Sequence, residues 1–329
     1  MPSDTPDVAL GRAVFARTCQ QCHMLYGVGG KIGPDITGSN RASLDYLLEN
    51  ILDPSAVIPK EYAASVLHLK NGRVITGIVH AETPVAFTVV TATETLTVSR
   101  GDVAERLQSE VSMMPDDLLK DLSDAEVRAL VAYLQSPVQT PLLATRENAK
   151  DFFNGRDLTG WSGDPKLWSV EGNTIVGRSS GLKRSETLRS QMAAADFRLT
   201  LKVKITPDAG NGGIRFRCEN LPDGGLNGLR TAMGNGSWGK LYKENSVGVL
   251  SDKSGEPYVK PGEWNDFELV AVGGKVKTLL NGKPCVDLEN KTLAGRGIFA
   301  FTVEAGVPTE VRLKDLRLEV LPTDAKVGR

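Results

Sequence analysis

The sequence predicts two domains of unlike class: a mainly α domain interrupted by a small β-insert, followed by an all-β sandwich. Three observations predict this. Apolar residues recur at helical spacing before Asp53 and again after Leu122, and β-branched runs fill part of the stretch between them. From Asp151 to Val320, alternating strands succeed one another with no helix between them. A length of 329 residues favours two domains over one, and 40% hydrophobic with 24% charged residues is a globular balance.

The first domain is read as residues 1–136. Val8, Gly11, Val14, Phe15 and Thr18 share a helical face over Asp7–Cys19. A glycine-rich loop, 27–35, follows; it lacks the G-K-[ST] ending of a phosphate cradle. A second helix runs from Ser43 to Leu52, where Asp53-Pro54 stops it. The β-insert occupies about 62–110 and has four or five strands, four of them at 65–70, 73–80, 86–91 and 94–99, with a hairpin turn at Asn71-Gly72. Ser123-Asp124-Ala125-Glu126 is a capping box, and Val127, Leu130, Val131 and Leu134 form the apolar face behind it. Residues 137–150 read as a linker, with Pro137 and Pro141 blocking regular structure, and 151–322 as the sandwich or jelly roll.

Charge is unevenly divided. Residues 1–140 carry 11 Lys/Arg against 17 Asp/Glu, a net of −6, while the remainder carries 28 against 23, a net of +5. Cations so interspersed do not predict nucleic-acid binding. The acidic half suits steering of a positively charged redox partner, although a solvated surface gives the same count. No run of 18 apolar residues predicts a membrane span.

The chemistry-bearing motif is Cys19-Gln20-Gln21-Cys22-His23, the C-x-x-C-H spacing that attaches a c-type haem. Two thiols so spaced reach both vinyl groups of one haem, and His23 lies under the iron as proximal ligand. A zinc half-site would want a second ligand pair, which Cys218 and Cys285 do not supply in motif; a redox dithiol is the other rival. Pro34 stiffens the loop beside His23. For the second axial position the choice falls on Met114 of Met113-Met114-Pro115, because Pro115 restricts the preceding residue to extended backbone. His68 and His80 are the runners-up. The polar start Met1-Pro2-Ser3-Asp4 carries no secretion signal, whereas c-type haem is attached outside the cytoplasm. A periplasmic or exported protein whose leader lies outside this chain is therefore expected.

In the second domain, strand alternation over Ile214–Glu219 puts Ile214, Phe216 and Cys218 on one face and Arg215, Arg217 and Glu219 on the other. Guanidinium and carboxylate groups together suit sugar hydroxyls and a carbonyl oxygen. Trp238 and Tyr242 offer a stacking platform, with Glu244 as a further acid or base. A cross-strand ion pair on a solvated sheet accounts for the same residues.

Residues 7–136 resemble a planctomycete-type cytochrome c, on Cys19–His23, Gly33-Pro34-Asp35, Asp53-Pro54, Ser112-Met113-Met114-Pro115 and the Leu122–Leu134 helix. The resemblance implies one covalent haem c, Met114 as distal ligand and electron transfer. Residues 151–320 resemble the 3-keto-disaccharide hydrolase family, on Asp151–Trp161, Trp168–Gly177, Gly210–Arg217, Gly236–Tyr242 and Gly262–Asn265. This implies a concanavalin-like jelly roll acting on keto-sugars. A 3-keto group acidifies the neighbouring C–H, so one base and an enolate-stabilising cation suffice for elimination. Glu219 and Glu244 are the carboxylate candidates, and Arg215, Arg217 or Lys183 the cation. The chain departs from the family pattern at Leu229-Arg230-Thr231-Ala232 and at Lys183-Arg184-Ser185. A Cys218–Cys285 disulfide and two separate thiols both remain open.

Together these readings predict a haem electron carrier fused to a domain acting on 3-keto-glycosides. A sugar dehydrogenase is the expected redox partner and an oligo- or polysaccharide or keto-sugar the ligand. The alternative is a non-catalytic, sugar-binding jelly roll that localises the haem domain.

Overall fold

Asp7 opens the first helix by accepting hydrogen bonds from the backbone N–H groups of Ala9 and Leu10, and α1 spans Val8–Thr18. Ser43 caps α2, Leu44–Leu52, and the predicted capping box is complete at α3, Asp124–Gln135, where Ser123 and Glu126 bond reciprocally. Helices α1 and α3 cross at Gly11. A Cβ there would lie 1.9 Å from the Ala129 carbonyl oxygen, so only glycine permits the approach. Phe15 and Tyr133 close the crossing with ring centroids 5.5 Å apart.

The computed structural model describes residues 6–221, 223–244, 248–322 and 325, and the chain divides into two units, Met1–Thr140 and Pro141–Arg329. Met1-Pro2-Ser3-Asp4, read for a leader, lies outside the described residues.

The expectation of a mainly α first domain is corrected. Its three helices have 11, 9 and 12 residues, and a five-stranded antiparallel sheet stands beside them. Pro34 with its neighbouring glycines keeps 27–43 largely irregular, and Pro54 and Pro59 do the same for 53–62, so helix does not spread. The sheet runs in the order Thr95–Ser99, Ala86–Val90, Val74–Glu82, Ser65–Leu69, Val103–Gln108. The Asn71-Gly72 turn joins two of these strands, with Gly72 at φ 85°. The fifth strand, Val103–Gln108, falls within the four or five strands expected of the insert, although charged and polar residues interrupt its alternation and left it without a range of its own.

The second unit is two packed sheets, antiparallel but for one short pair. One has seven strands in the order Trp168–Glu171, Thr174–Ser179, Thr309–Val320, Phe197–Thr206, Asn265–Val272, Lys275–Leu280, Lys283–Glu289. The larger sheet runs Val249–Ser251, Leu241–Lys243, Leu226–Gly234, Asn211–Asn220, Gly297–Val303, Glu186–Ala194, Leu142–Leu143. Trp161–Ser162 also pairs with Glu186–Ala194. Leu142–Leu143, within the stretch read as linker, pairs in parallel with Met192 and Ala193. Between the sheets the alternate residues Ile214, Phe216, Phe299 and Phe301 are fully buried, as a half-buried sheet requires.

Candidate functional site

In the first unit the segment after α1 folds under a cleft. His23 lines it, and its Nδ1 lies 3.1 Å from the Pro34 carbonyl oxygen. A carbonyl only accepts, so Nδ1 carries the proton and Nε2 keeps its lone pair. Gly33 lies flat against the ring, where a Cβ would come within 2.7 Å of His23 Cε1. Burial pushes His23 below its ordinary range and keeps the imidazole neutral. It pushes the Cys19 thiol up to about 12 and raises Cys22 as well, the opposite of the lowered thiol of a redox dithiol.

The cleft holds about 340 Å³ and is lined by Phe15, Leu47, Ile51, Ile58 and Leu134, with Ile78 from the five-stranded sheet and Ala92 from the turn between two of its strands. Cys19, Cys22, Pro34, Met113 and Met114 all reach it. The methionine loop is held by two serines: the Met114 N–H donates to Ser112 Oγ at 3.1 Å, and the Ser112 N–H to Ser55 Oγ at 3.1 Å. His68 and His80, on strands of the sheet, do not line the cleft. An apolar slot with a histidine nitrogen, two thiols and a thioether matches the donor set of a c-type haem. Among the described residues no group of three or more His, Cys, Asp or Glu side chains is placed to hold a bare metal ion.

In the second unit the outward face of the larger sheet carries a row of polar side chains. Arg215 stands opposite Arg230 on one neighbouring strand and Ala300 on the other, and Arg230 stands opposite Tyr242. Glu244 Oε1 binds Arg215 Nη1 at 2.7 Å and Arg230 Nε at 3.2 Å, while Arg230 Nη1 binds Glu304 at 3.1 Å. Arg215 Nε donates to Thr302 at 3.0 Å, Ser185 donates to Glu304, and Arg230 stacks 4.5 Å from the Tyr242 ring centre. These charged side chains are only 12% to 22% exposed, which sets them apart from ordinary surface pairs.

The structure brings Arg215 and Glu244 together and separates the other expected members. Arg217 adopts φ 51°, and the pairing register slips between Arg215 and Cys218. The bulge turns Arg217 away from Arg215. Its guanidinium, buried, binds the carbonyls of Ala195, Gly273 and Leu293 and Asp196 at 3.2 Å, so it staples loops together. The same slip takes Cys218 off the Phe216 face into a small cluster with Ala193, Leu226, Ile298 and Ala300. Glu219 is exposed beyond the bulge, and Lys183 is exposed two residues before Ser185. Trp238 is a core residue at 4% exposure and forms no platform. Cys218 and Cys285 are free, buried thiols. Arg230, Glu304, Ser185 and Thr302 were missed as members. Arg230 and Ser185 sit in the two segments where the sequence departs from its family's pattern.

The model of the 3-keto-alpha-glucoside-1,2-lyase-like domain matches residues 148–319, more than half of the chain. The chain belongs to this family. The match covers the β-sandwich, a glycosyl-hydrolase-like domain, and leaves the first unit outside; the resemblance to a cytochrome c finds no counterpart in it. This lyase-like chain is similar in structure to the carbohydrate-binding module CBM66 from Bacillus subtilis, at 20% identity and a TM-score of 0.41 over 50% of this chain and 97% of that one. A glycosyl-hydrolase-like protein from Parabacteroides distasonis ATCC 8503 is 19% identical, with a TM-score of 0.41 over 54% and 98% of the two chains. A protein from Bacillus subtilis with a galectin-like fold is 13% identical, with a TM-score of 0.39 over 49% and 90%. No curated protein matches the chain. Among the described residues no helix is long and apolar enough to cross a membrane.

Proposed function

We propose that the chain is a c-type haem electron carrier joined to a domain that acts on 3-keto-glycosides. One observation carries the haem half: His23 presents an unprotonated Nε2 at an apolar cleft, fixed through Nδ1 by the Pro34 carbonyl, with Cys19 and Cys22 on the same wall. In this reading Cys19, Cys22, His23 and Met114 would hold the haem. Bound haem c supplies one-electron iron chemistry. The protein's part is to keep the imidazole neutral, hold the methionine loop through Ser112 and Ser55, and exclude water with the aliphatic wall. Maturation then takes place in an exported, periplasmic setting, and a sugar dehydrogenase is the redox partner.

For the sandwich, the supporting observation is the Arg215–Glu244–Arg230–Glu304 array. Glu244 would take the acidified proton beside a 3-keto group, and Arg215 would meet the oxygen on which charge develops. A second reading, sugar binding without cleavage, is favoured by the geometry of the carboxylates: Glu244 and Glu304 are both already engaged by guanidinium groups and must exchange those bonds to act on a substrate.

Two measurements test these readings. Protein matured by a haem-attaching host should give the reduced pyridine-adduct spectrum of a c-type haem; a spectrum without it sinks the haem half. Incubation with a 3-keto-glucoside should release the leaving sugar, and Glu244→Gln should slow release at least tenfold. Retention of the glycoside with no release by the parent protein selects the binding reading.

A further inference from the structure

We infer that the sugar taken by the outward face of the larger sheet carries an anionic group, a carboxylate or a sulfate ester, and that Arg189 selects for it. The inference rests on the reading above that this face binds a sugar. Cross-strand register lines up five residues in one row over five strands. Arg189 stands opposite Ala300, Ala300 opposite Arg215, Arg215 opposite Arg230, and Arg230 opposite Tyr242. Leu188, next to Arg189, is buried in the core between the sheets, so alternation turns Arg189 to the same outer face as Arg215. Two strand spacings, about 10 Å, separate their backbones, which is the span of a disaccharide rather than of one ring.

Like charges directly opposite each other weaken a sheet. Here Glu244 binds both Arg215 and Arg230, and Glu304 binds Arg230, so the charges of those four side chains balance. The charge of Arg189 is not balanced. Its Nε donates to Thr187 Oγ1 at 3.1 Å, its Nη1 to Asn220 Oδ1 at 2.9 Å and its Nη2 to the Gly224 carbonyl at 2.5 Å, all neutral acceptors. Among the described residues it pairs with no carboxylate, and Glu186 of the same strand is taken by Arg184 at 3.0 Å. The row and its partners thus hold three guanidinium groups against two carboxylates. Three bonds fix the Arg189 head in advance, which removes much of the ordering cost a long side chain meets on binding. Nη2 of Arg215 and Nη2 of Arg230 make no bond among the described residues, and neither is a buried atom, so both donors stay open to a ligand. Neutral hydroxyls would be met as well by amides, without setting one cation opposite another. A surplus cation with open guanidinium donors matches the charge and paired oxygens of a carboxylate or sulfate.

The test measures binding to the full chain by calorimetry, with three oligosaccharides of equal length: a neutral glucan, an oligomer of a uronic acid and a sulfated glucan. The parent should bind one of the acidic ligands about tenfold more tightly than the neutral one, and the one preferred identifies the anion. Arg189→Gln should bring that ligand to within about threefold of the neutral one while the neutral affinity stays in place. Lys275→Gln, which removes a positive charge from the other sheet, should leave the preference intact. Equal or weaker binding of both acidic ligands by the parent overturns the inference and leaves the sugar reading standing. A preference that survives Arg189→Gln, or that falls as far in Lys275→Gln, overturns the role of Arg189. If Arg189→Gln does not accumulate, a reduced preference in Arg189→Lys, which keeps the charge without the fork, supports that role, and an unchanged one overturns it. Binding of none of the three by the parent sinks the sugar reading and the inference together.

Discussion

The cleft of the first unit and the charged face of the second differ in how far each satisfies its own polar groups. Among the described residues, Nε2 of His23 at the cleft has no partner by tautomer, and Arg41 Nε, buried in the cleft's wall, has none either. On the sheet face, Arg215, Glu244, Arg230 and Glu304 satisfy one another in a chain of bonds between 2.7 and 3.2 Å. An incomplete site gains from a guest, because the guest supplies bonds that the protein lacks. A complete one admits a ligand only by exchange, which suits selectivity for a ligand with matching donors and acceptors. Adjacent units of one chain therefore present opposite strategies.

The largest expected effect would break the scaffold of the cleft and spare the sandwich. Gly11→Val drives a side chain into the Ala129 carbonyl and should cost about 3 kcal/mol or more. Calorimetry of the full chain should lose the first unit's transition while the second's stays; a joint shift of both would show that the units do not melt separately. Next comes Arg217→Met. It strands three carbonyls and Asp196 and should destabilise the sandwich by about 3 kcal/mol in denaturant, with sugar retention unchanged at low temperature. Loss of retention with no change in midpoint would return Arg217 to the site.

Glu304→Gln, which loosens Arg230 on one side, sharpens the contrast further. With the side chains still partly exposed, a cost of about 1 kcal/mol is expected, together with weaker glycoside retention. The smallest effect is at the α3 cap. Ser123→Ala should cost the first unit about 1 kcal/mol by urea titration. Hydrogen bonds from Ser123 and Arg17 hold the Glu126 carboxyl down to about 2. Its contribution is therefore full above the unfolded value near 4.5 and is lost as pH falls toward 2, so an acid titration of Glu126→Gln should flatten in that window.

Much of the scaffold was legible because its causes are local. Asp7, Ser43 and the Ser123–Glu126 pair start their helices through bonds within three residues, and Asn71-Gly72 turns its hairpin through one positive φ. Arg217 broke the alternation because a bulge is a single-residue slip that the pattern of two does not announce. Glu304 was missed because it meets Arg230 from 74 residues away. Trp238 was taken for a platform on its chemistry, but it lies on the buried side of its turn. The irregular loops around the cleft hid the balance of helix and sheet in the first unit.

The two sandwich thiols give the molecule a built-in clock. Burial holds Cys218 at about 12 and raises Cys285, and they lie in strands of opposite layers. An alkylating reagent meets either sulfur only after its own ladder has parted. The two labelling rates, read by peptide mass, thus time the breathing of each layer independently, with no engineered probe.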